Sequence, residues 1–265
     1  DEIQHWSQLG SALTVAFHAD GVISQFDGYE DLLELDWPRY WAKYGNIGRL
    51  DLILEAENDT TNRYKLAKQA DVLMLIYLLG PTGVINQLGR LGYSFSETDL
   101  KRTVEYYVSR SSEGSTLSRV VHSSVLSRFN EDRAWALFRE ALVADLDDTQ
   151  EGTTRAGIHL GAMAGTVDIL TRSFAGLQTE ANALTFDPRL PTHLEKVEFQ
   201  IQYRGHLIDV ALSIDSLLIR LHPSTAPPIY VGSAGTYVEL AGGESTDLFE
   251  ARRGLQNKST PDLTR

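Results

Sequence analysis

Along the first two thirds of the chain, apolar positions recur every three or four residues, the spacing of helices with one buried face. Trp6, Leu9, Leu13 and Phe17 share one such face. Thr61 to Leu79 predicts a long helix stopped by Gly80-Pro81, and the aromatic-rich stretch from Asp27 to Asn46 reads as a long loop or broken helix. Ser96-Glu-Thr-Asp99 has the form of a reciprocal cap, with Asp in place of the usual Glu or Gln, opening a helix that carries Thr103 to Tyr107. Leu117, Val120, Val121, Ser124 and Val125 follow a Gly-Ser-Thr step, so the next helix begins near Ser115. Asn130 caps another, with Trp135, Phe138, Leu142 and Leu146 as its buried stripe. A last helix, rich in Gly and Ala, is expected from Ala156 to Phe174.

After Pro188 the period drops to two. Val197, Phe199, Ile201 and Tyr203 alternate with polar residues, Gly205-His206 turns the chain, and Ile208, Val210, Leu212 and Ile214 resume the alternation. Leu217 to Leu221, Ile229 to Val231 and Tyr237 to Leu240 add short strands at the spacing of a small antiparallel sandwich. The organisation expected is a helical domain over 1–187, a small β-sandwich over 188–242 and a loose polar tail over 243–265.

At 265 residues the chain can bury a sizeable core. A net charge of −12 argues against nucleic acid or an anionic membrane as partner, since both are polyanions. With no cysteine, thiolate catalysis, disulfides and cysteine-held zinc are excluded. No histidine pairing suits a helix-borne metal site, and Asp145-Leu-Asp-Asp148 reads as a helix end rather than a calcium loop, so no metal is expected. The apolar run Val72 to Leu79 suits a buried core helix and is short of a membrane span. Asp1-Glu-Ile-Gln-His-Trp6 lacks signal-peptide features, and the expected location is cytoplasmic.

Three polar clusters stand at or near helix ends: Lys68-Gln69-Ala70-Asp71-Val72, Arg110 to Ser118, and Gly157-Ile158-His159. Free N–H groups at the helix start near Ser115, with the Ser115 and Thr116 hydroxyls, suit an anion or a sugar hydroxyl. Glu113 at its mouth is held ionised by the positive helix end, as a general base must be. Each feature also has a plain structural reading: a helix cap, a solvated loop carboxylate, a lysine with its stem along apolar surface, a satisfied buried histidine.

Lys68-Gln-Ala-Asp-Val72, Gly114-Ser-Thr-Leu-Ser118 with Val121-His-Ser123, Gly157 to Thr166, Leu190-Pro191 and Tyr203-Arg-Gly-His206 resemble, in this order, successive blocks of glycoside hydrolase family 65, the family of trehalose, maltose and kojibiose phosphorylases and related α-glucosidases. The similarity runs from about Trp6 to about Ser213. It implies the later part of an (α/α)6 barrel followed by a small C-terminal β-sandwich, acting on a glucose disaccharide. The helical section is too short to close six helix pairs, so unpaired apolar faces would await an upstream half of the barrel. The family's general acid, a Glu, lies upstream of the first matched block. Lys68 and Gln69 are implied as glucose-hydroxyl ligands at the scissile bond; Ser115, Thr116 and His159 as phosphate or anion ligands. Glu113 stands where family phosphorylases commonly carry His. A carboxylate beside a phosphate dianion costs about 2–4 kcal/mol in low dielectric, which favours water activated by Glu113 over phosphorolysis. The readings carried forward are therefore inverting hydrolysis of an α-glucosidic bond, a disaccharide phosphorylase using inorganic phosphate as co-substrate and releasing β-glucose 1-phosphate, and a non-catalytic sugar-binding or assembly module. No cofactor is implied, and a homodimer is compatible with the resemblance.

Overall fold

A computed structural model describes residues 2–68, 70–112, 114–149, 152–180 and 182–254. They form one compact unit up to Met163 and a second from Ala164.

The first unit is helical. Helix α1, Glu2–Ala12, has no buried residue, and Trp6, Leu9 and Leu13 are all more than half exposed. Phe17 has left that face: it bridges to Ile23 and packs on Tyr93. Helix α2, Trp37–Tyr44, lies inside the stretch expected to be a long loop or a broken helix, capped by Asp36, with a proline at its start and Gly45 (φ 68°) at its end. Helix α3 spans Leu50–Ala56. Helix α4 begins at Asp71, ten residues later than the apolar period predicts. The physical reason is long-range pairing. Thr60 caps a single tight turn over Thr61–Arg63, after which the backbone bonds outward, Lys65 N–H to Leu33 O and Ala67 N–H to Arg110 O. Gly80-Pro81 ends the first helical stretch as the sequence predicts: Gly80 sits at φ 70° and ψ 163°, outside helical geometry, where glycine is unpenalised, and a second stretch of α4 starts at Pro81, whose missing N–H is tolerated at a helix start. By length and composition α4, Asp71–Arg90, is apolar enough to cross a membrane. Here Val72, Leu73, Ile76, Val84 and Leu88 are buried in the core.

The caps are where the sequence places them. Ser96 and Asp99 make the reciprocal box at the head of α5, Glu97–Val108; Ser115 caps α6, Thr116–Leu126; Asn130 caps α7, Glu131–Leu142. The buried stripe of α7 is rotated from that expected, to Ala134, Leu137, Phe138 and Ala141; Leu142 is exposed and Leu146 lies beyond the helix, 83% exposed. The last helix starts at Leu160 rather than Ala156, because Gly157 at φ 149° breaks the approach; α8, Leu160–Asp168, runs on into a wider turn over Ile169–Phe174.

The second unit holds β1 (Leu177–Glu180), β2 (Ala183–Phe186), β3 (Lys196–Tyr203), β4 (His206–Ser213), β5 (Leu217–Leu221), β6 (Ile229–Ser233), β7 (Thr236–Leu240), β8 (Ser245–Asp247) and helix α9 (Leu248–Gly254). The sheets run β1-β2-β6-β7 and β3-β4-β5-β8. Phe186 and Val231 from one, and Val210 and Ile219 from the other, bury into one core, so the sheets form a sandwich. Its one parallel pairing among the described residues, β2 with β6, departs from the antiparallel expectation. The β3–β4 hairpin closes through Arg204 (φ 48°) and Gly205 (φ 84°), two left-handed residues whose twist suits a two-residue turn. Strands begin before residue 188, and the stretch read as loose tail carries β8 and α9. Asp247 accepts from the Ser216 hydroxyl and from Phe249 N–H, and Leu248 is buried. Residues 255–265 lie outside the described residues.

Helix α2 is fixed by one carboxylate. Glu57, just past α3, accepts from Tyr40 (2.8 Å), Tyr44 (2.6 Å) and Lys43. Those donors, Lys43 first, hold its pKa down to about 2. Because the folded-state pKa is depressed, the clamp contributes fully above the ordinary glutamate range and is lost as pH falls from there through about 2. Glu57→Gln is therefore expected to lower Tm at neutral pH, with the gap to the unaltered protein closing as melting is followed toward pH 2.

Candidate active site

Two of the polar clusters meet through backbone. Ala67 and Ser111 pair as a parallel bridge, with Ala67 N–H donating to Arg110 O and Ser112 N–H to Ala67 O, each at 3.0 Å. One residue further, the Ser118 hydroxyl, fully buried in the first turn of α6, donates to Lys68 O at 2.8 Å. These bonds place Lys68 beside the start of α6, fifty residues away in sequence. Lys68 is thus on an extended segment ahead of α4, not on a helix as its sequence neighbours suggest. Gly48 approaches the same place from the α2–α3 loop; a Cβ on Gly114 would lie 1.7 Å from Gly48 O.

The three segments wall a cleft of about 770 Å3. Ser111, Ser112 and Gly114 line it with Lys68, and Trp37 and Trp41 contribute from α2. The cations are Arg49, Lys68, Arg119 and Arg133, against Glu140 as the lining carboxylate among the described residues. Arg119 is fixed by Glu140 at 3.0 Å and by the Thr149 hydroxyl at 3.2 Å, and Arg49 pairs with Asp51. Lys68 lines the cleft and forms no ion pair among the described residues, its charge reaching Asp51 only at longer range.

Ser115 is committed as a cap, its hydroxyl accepting from Leu117 N–H, and Thr116 is buried; neither lines the cleft. The hydroxyls that do are those of Ser109, Ser111, Ser112, Thr149 and Thr153. Glu113 and Gln69 lie outside the described residues, although Gly114 and Lys68 beside them both line the cleft. His159 also lies off the lining. It precedes α8 rather than lying inside a helix, and its Nδ1 sits 2.6 Å from Asp145. Asp145 also accepts from His159 N–H at 2.8 Å, and the histidine bond chiefly holds its carboxyl below the usual range. With Nδ1 taken, Nε2 is the atom His159 has for a ligand. Asp145 is thus a histidine-orienting residue beyond α7, where the sequence suggested only a helix end. No group of three metal-ligating side chains occurs among the described residues.

The signals for the missed residues were present but weak. Arg119 follows Ser115 by one helical turn, and Trp37 and Trp41 stand four apart after an Asp-Trp-Pro helix start. Leaving the latter stretch open between a long loop and a broken helix hid their common face.

A helical segment with a hydroxyl- and cation-lined cleft is thus followed along the chain by a β-sandwich. The chain belongs to glycosyl hydrolase family 65: residues 1–168 match the family's central catalytic domain and residues 177–240 its C-terminal domain. An uncharacterized glycosyl hydrolase of Mycobacterium tuberculosis strain H37Rv is 45% identical over 247 residues, covering 93% of this chain and 18% of the relative. Trehalose 6-phosphate phosphorylase of Lactococcus lactis is 35% identical over 212 residues, covering 80% of this chain and 28% of the relative. A solved structure, a putative kojibiose phosphorylase from human microbiome, shares the fold with a TM-score of 0.66 at 23% identity, covering 88% of this chain and 30% of that one. The chain thus spans less than a third of the length of these relatives.

Proposed function

We propose that this chain supplies the sugar- and phosphate-binding part of a family 65 site that cleaves an α-glucosidic bond in a glucose disaccharide with inversion, inorganic phosphate being the attacking group. The observation that carries the reading is the convergence of Lys68 and the start of α6 on one cleft whose lining, among the described residues, holds four cations and one carboxylate. Such a set stabilises a dianion and the negative charge it carries into the transition state. The phosphorylase relatives support the same choice.

In this reading a phosphate oxygen attacks the anomeric carbon from the face opposite the leaving sugar. The C1–O bond breaks, the leaving oxygen takes its proton from an acid on the upstream half of the barrel, and β-glucose 1-phosphate forms. That half would also cover the apolar face of α1, where Ile3, Trp6, Leu9 and Leu13 are exposed.

Hydrolysis is the second reading, favoured by one observation: Glu113 occupies the motif position where family phosphorylases carry His. The two separate cleanly. Full-length protein assayed with trehalose, maltose and kojibiose is expected to form glucose 1-phosphate in proportion to added phosphate, and Glu113→Gln is expected to keep that activity or raise it. Phosphate-independent glucose release, falling roughly 10²- to 10⁴-fold in Glu113→Gln, would make Glu113 the base of a hydrolase instead. The 265-residue chain alone, without the acid, is expected to turn over none of the three sugars.

A further inference from the structure

We propose that Trp41, backed by Trp37, is the platform on which the cleft seats a pyranose ring; the inference rests on the cleft being the glycoside site. The two indoles stand one helical turn apart on α2 and both line the cleft. A pyranose turns an apolar face of C–H groups to one side and hydroxyls to its rim. A flat, polarizable indole beside hydrogen-bonding groups matches both. Trp41 is 55% exposed, an apolar surface left to water at the edge of a polar cavity.

The platform is built to stay in place. Tyr40, Lys43 and Tyr44, on the neighbouring face of α2, all bind Glu57, and Asp36 and Gly45 fix the two helix ends. Trp37 is half-buried against the cluster that contains Leu35, Ile47 and Leu50. Its Nε1 is enclosed without a hydrogen-bond partner among the described residues, and apolar packing sets the ring's position. Trp41 is therefore carried on a helix whose backbone is held in place. Lys68, lining the same cleft, supplies hydrogen-bond donors for the sugar's hydroxyl rim.

The test uses tryptophan emission in full-length protein with every indole outside α2, Trp6 and Trp135 among them, changed to Phe. Maltose and trehalose are expected to shift the emission saturably and to protect it from iodide quenching. Trp41→Leu should weaken disaccharide binding about tenfold, while Trp41→Phe, which keeps an aromatic face, should recover most of it. Phosphate binding on the same preparations, sensitive to Lys68→Met but not to Trp41→Leu, reports separately on the function proposed above. Unchanged disaccharide affinity in Trp41→Leu, or no protection by saturating disaccharide, overturns the platform. So does Trp41 emission already shielded from iodide in the full-length protein without sugar, which would mean that protein covers it.

Discussion

Lys68→Met in the full-length enzyme is expected to lower phosphate-dependent cleavage by roughly 10²- to 10³-fold with little change in melting temperature. The size follows from removing one preorganised charge that holds the phosphate dianion in a partly enclosed site. The unaltered stability follows from how Lys68 is held. Its backbone is fixed by Ser118 and by the neighbouring Ala67–Ser111 bridge, and its ammonium leaves no ion-pair partner stranded among the described residues. Steady-state kinetics against phosphate at fixed disaccharide should show the loss chiefly in KM for phosphate, with part in kcat. Activity within threefold of the unaltered enzyme would remove Lys68 from the site. A matching fall in Tm would make its role structural.

Gly114→Ala carries the largest expected effect on stability. The new methyl would lie 1.7 Å from Gly48 O and 2.6 Å from Gly48 C, and both neighbours are backbone, so no side chain can rotate away. The α2–α3 loop must retreat, although the Asn46 side chain ties it at Gly48 N–H and Gly45 at φ 68° sets its start. Overpacking of this kind costs typically 1–3 kcal/mol, or a fall of roughly 3–10 °C in Tm for a chain of this size. The retreat also opens the wall between Gly48 and Lys68, so activity should fall more than stability alone explains. Gly89→Ala is the control. It lies in α4 with nothing within 4 Å of the added methyl, and alanine there should leave Tm unchanged or raise it. Equal Tm changes for the two variants would mean the Gly48–Gly114 approach does not hold the site together.

The sequence by itself determined what depends on near neighbours. The caps at Ser96, Ser115 and Asn130 are read correctly because a capping side chain bonds a backbone group two or three residues away. The alternation over β3 and β4 is legible because one face is buried and the other wet, which the period of two records directly. The ordered blocks from Lys68 to His206 identified the family. Whatever required distant segments to meet stayed hidden. The pairing of Ala67 with Ser111 holds the chain extended where local apolar spacing favours a helix, and so decides where Lys68 stands. Leu142 closes α7 and Leu146 lies past its end, and both are exposed, because the stripe that buries is fixed by where α6 packs. The polar-looking residues from 243 onward form β8 and α9 because β5 offers a free edge and Asp247 a cap. Asp145 orients His159 across fourteen residues, and Glu57 pins the side of α2 next to Trp41. Local periodicity reports which residues seek burial; the partners that bury or bind them are chosen by contacts between segments, and those exist only in the folded chain.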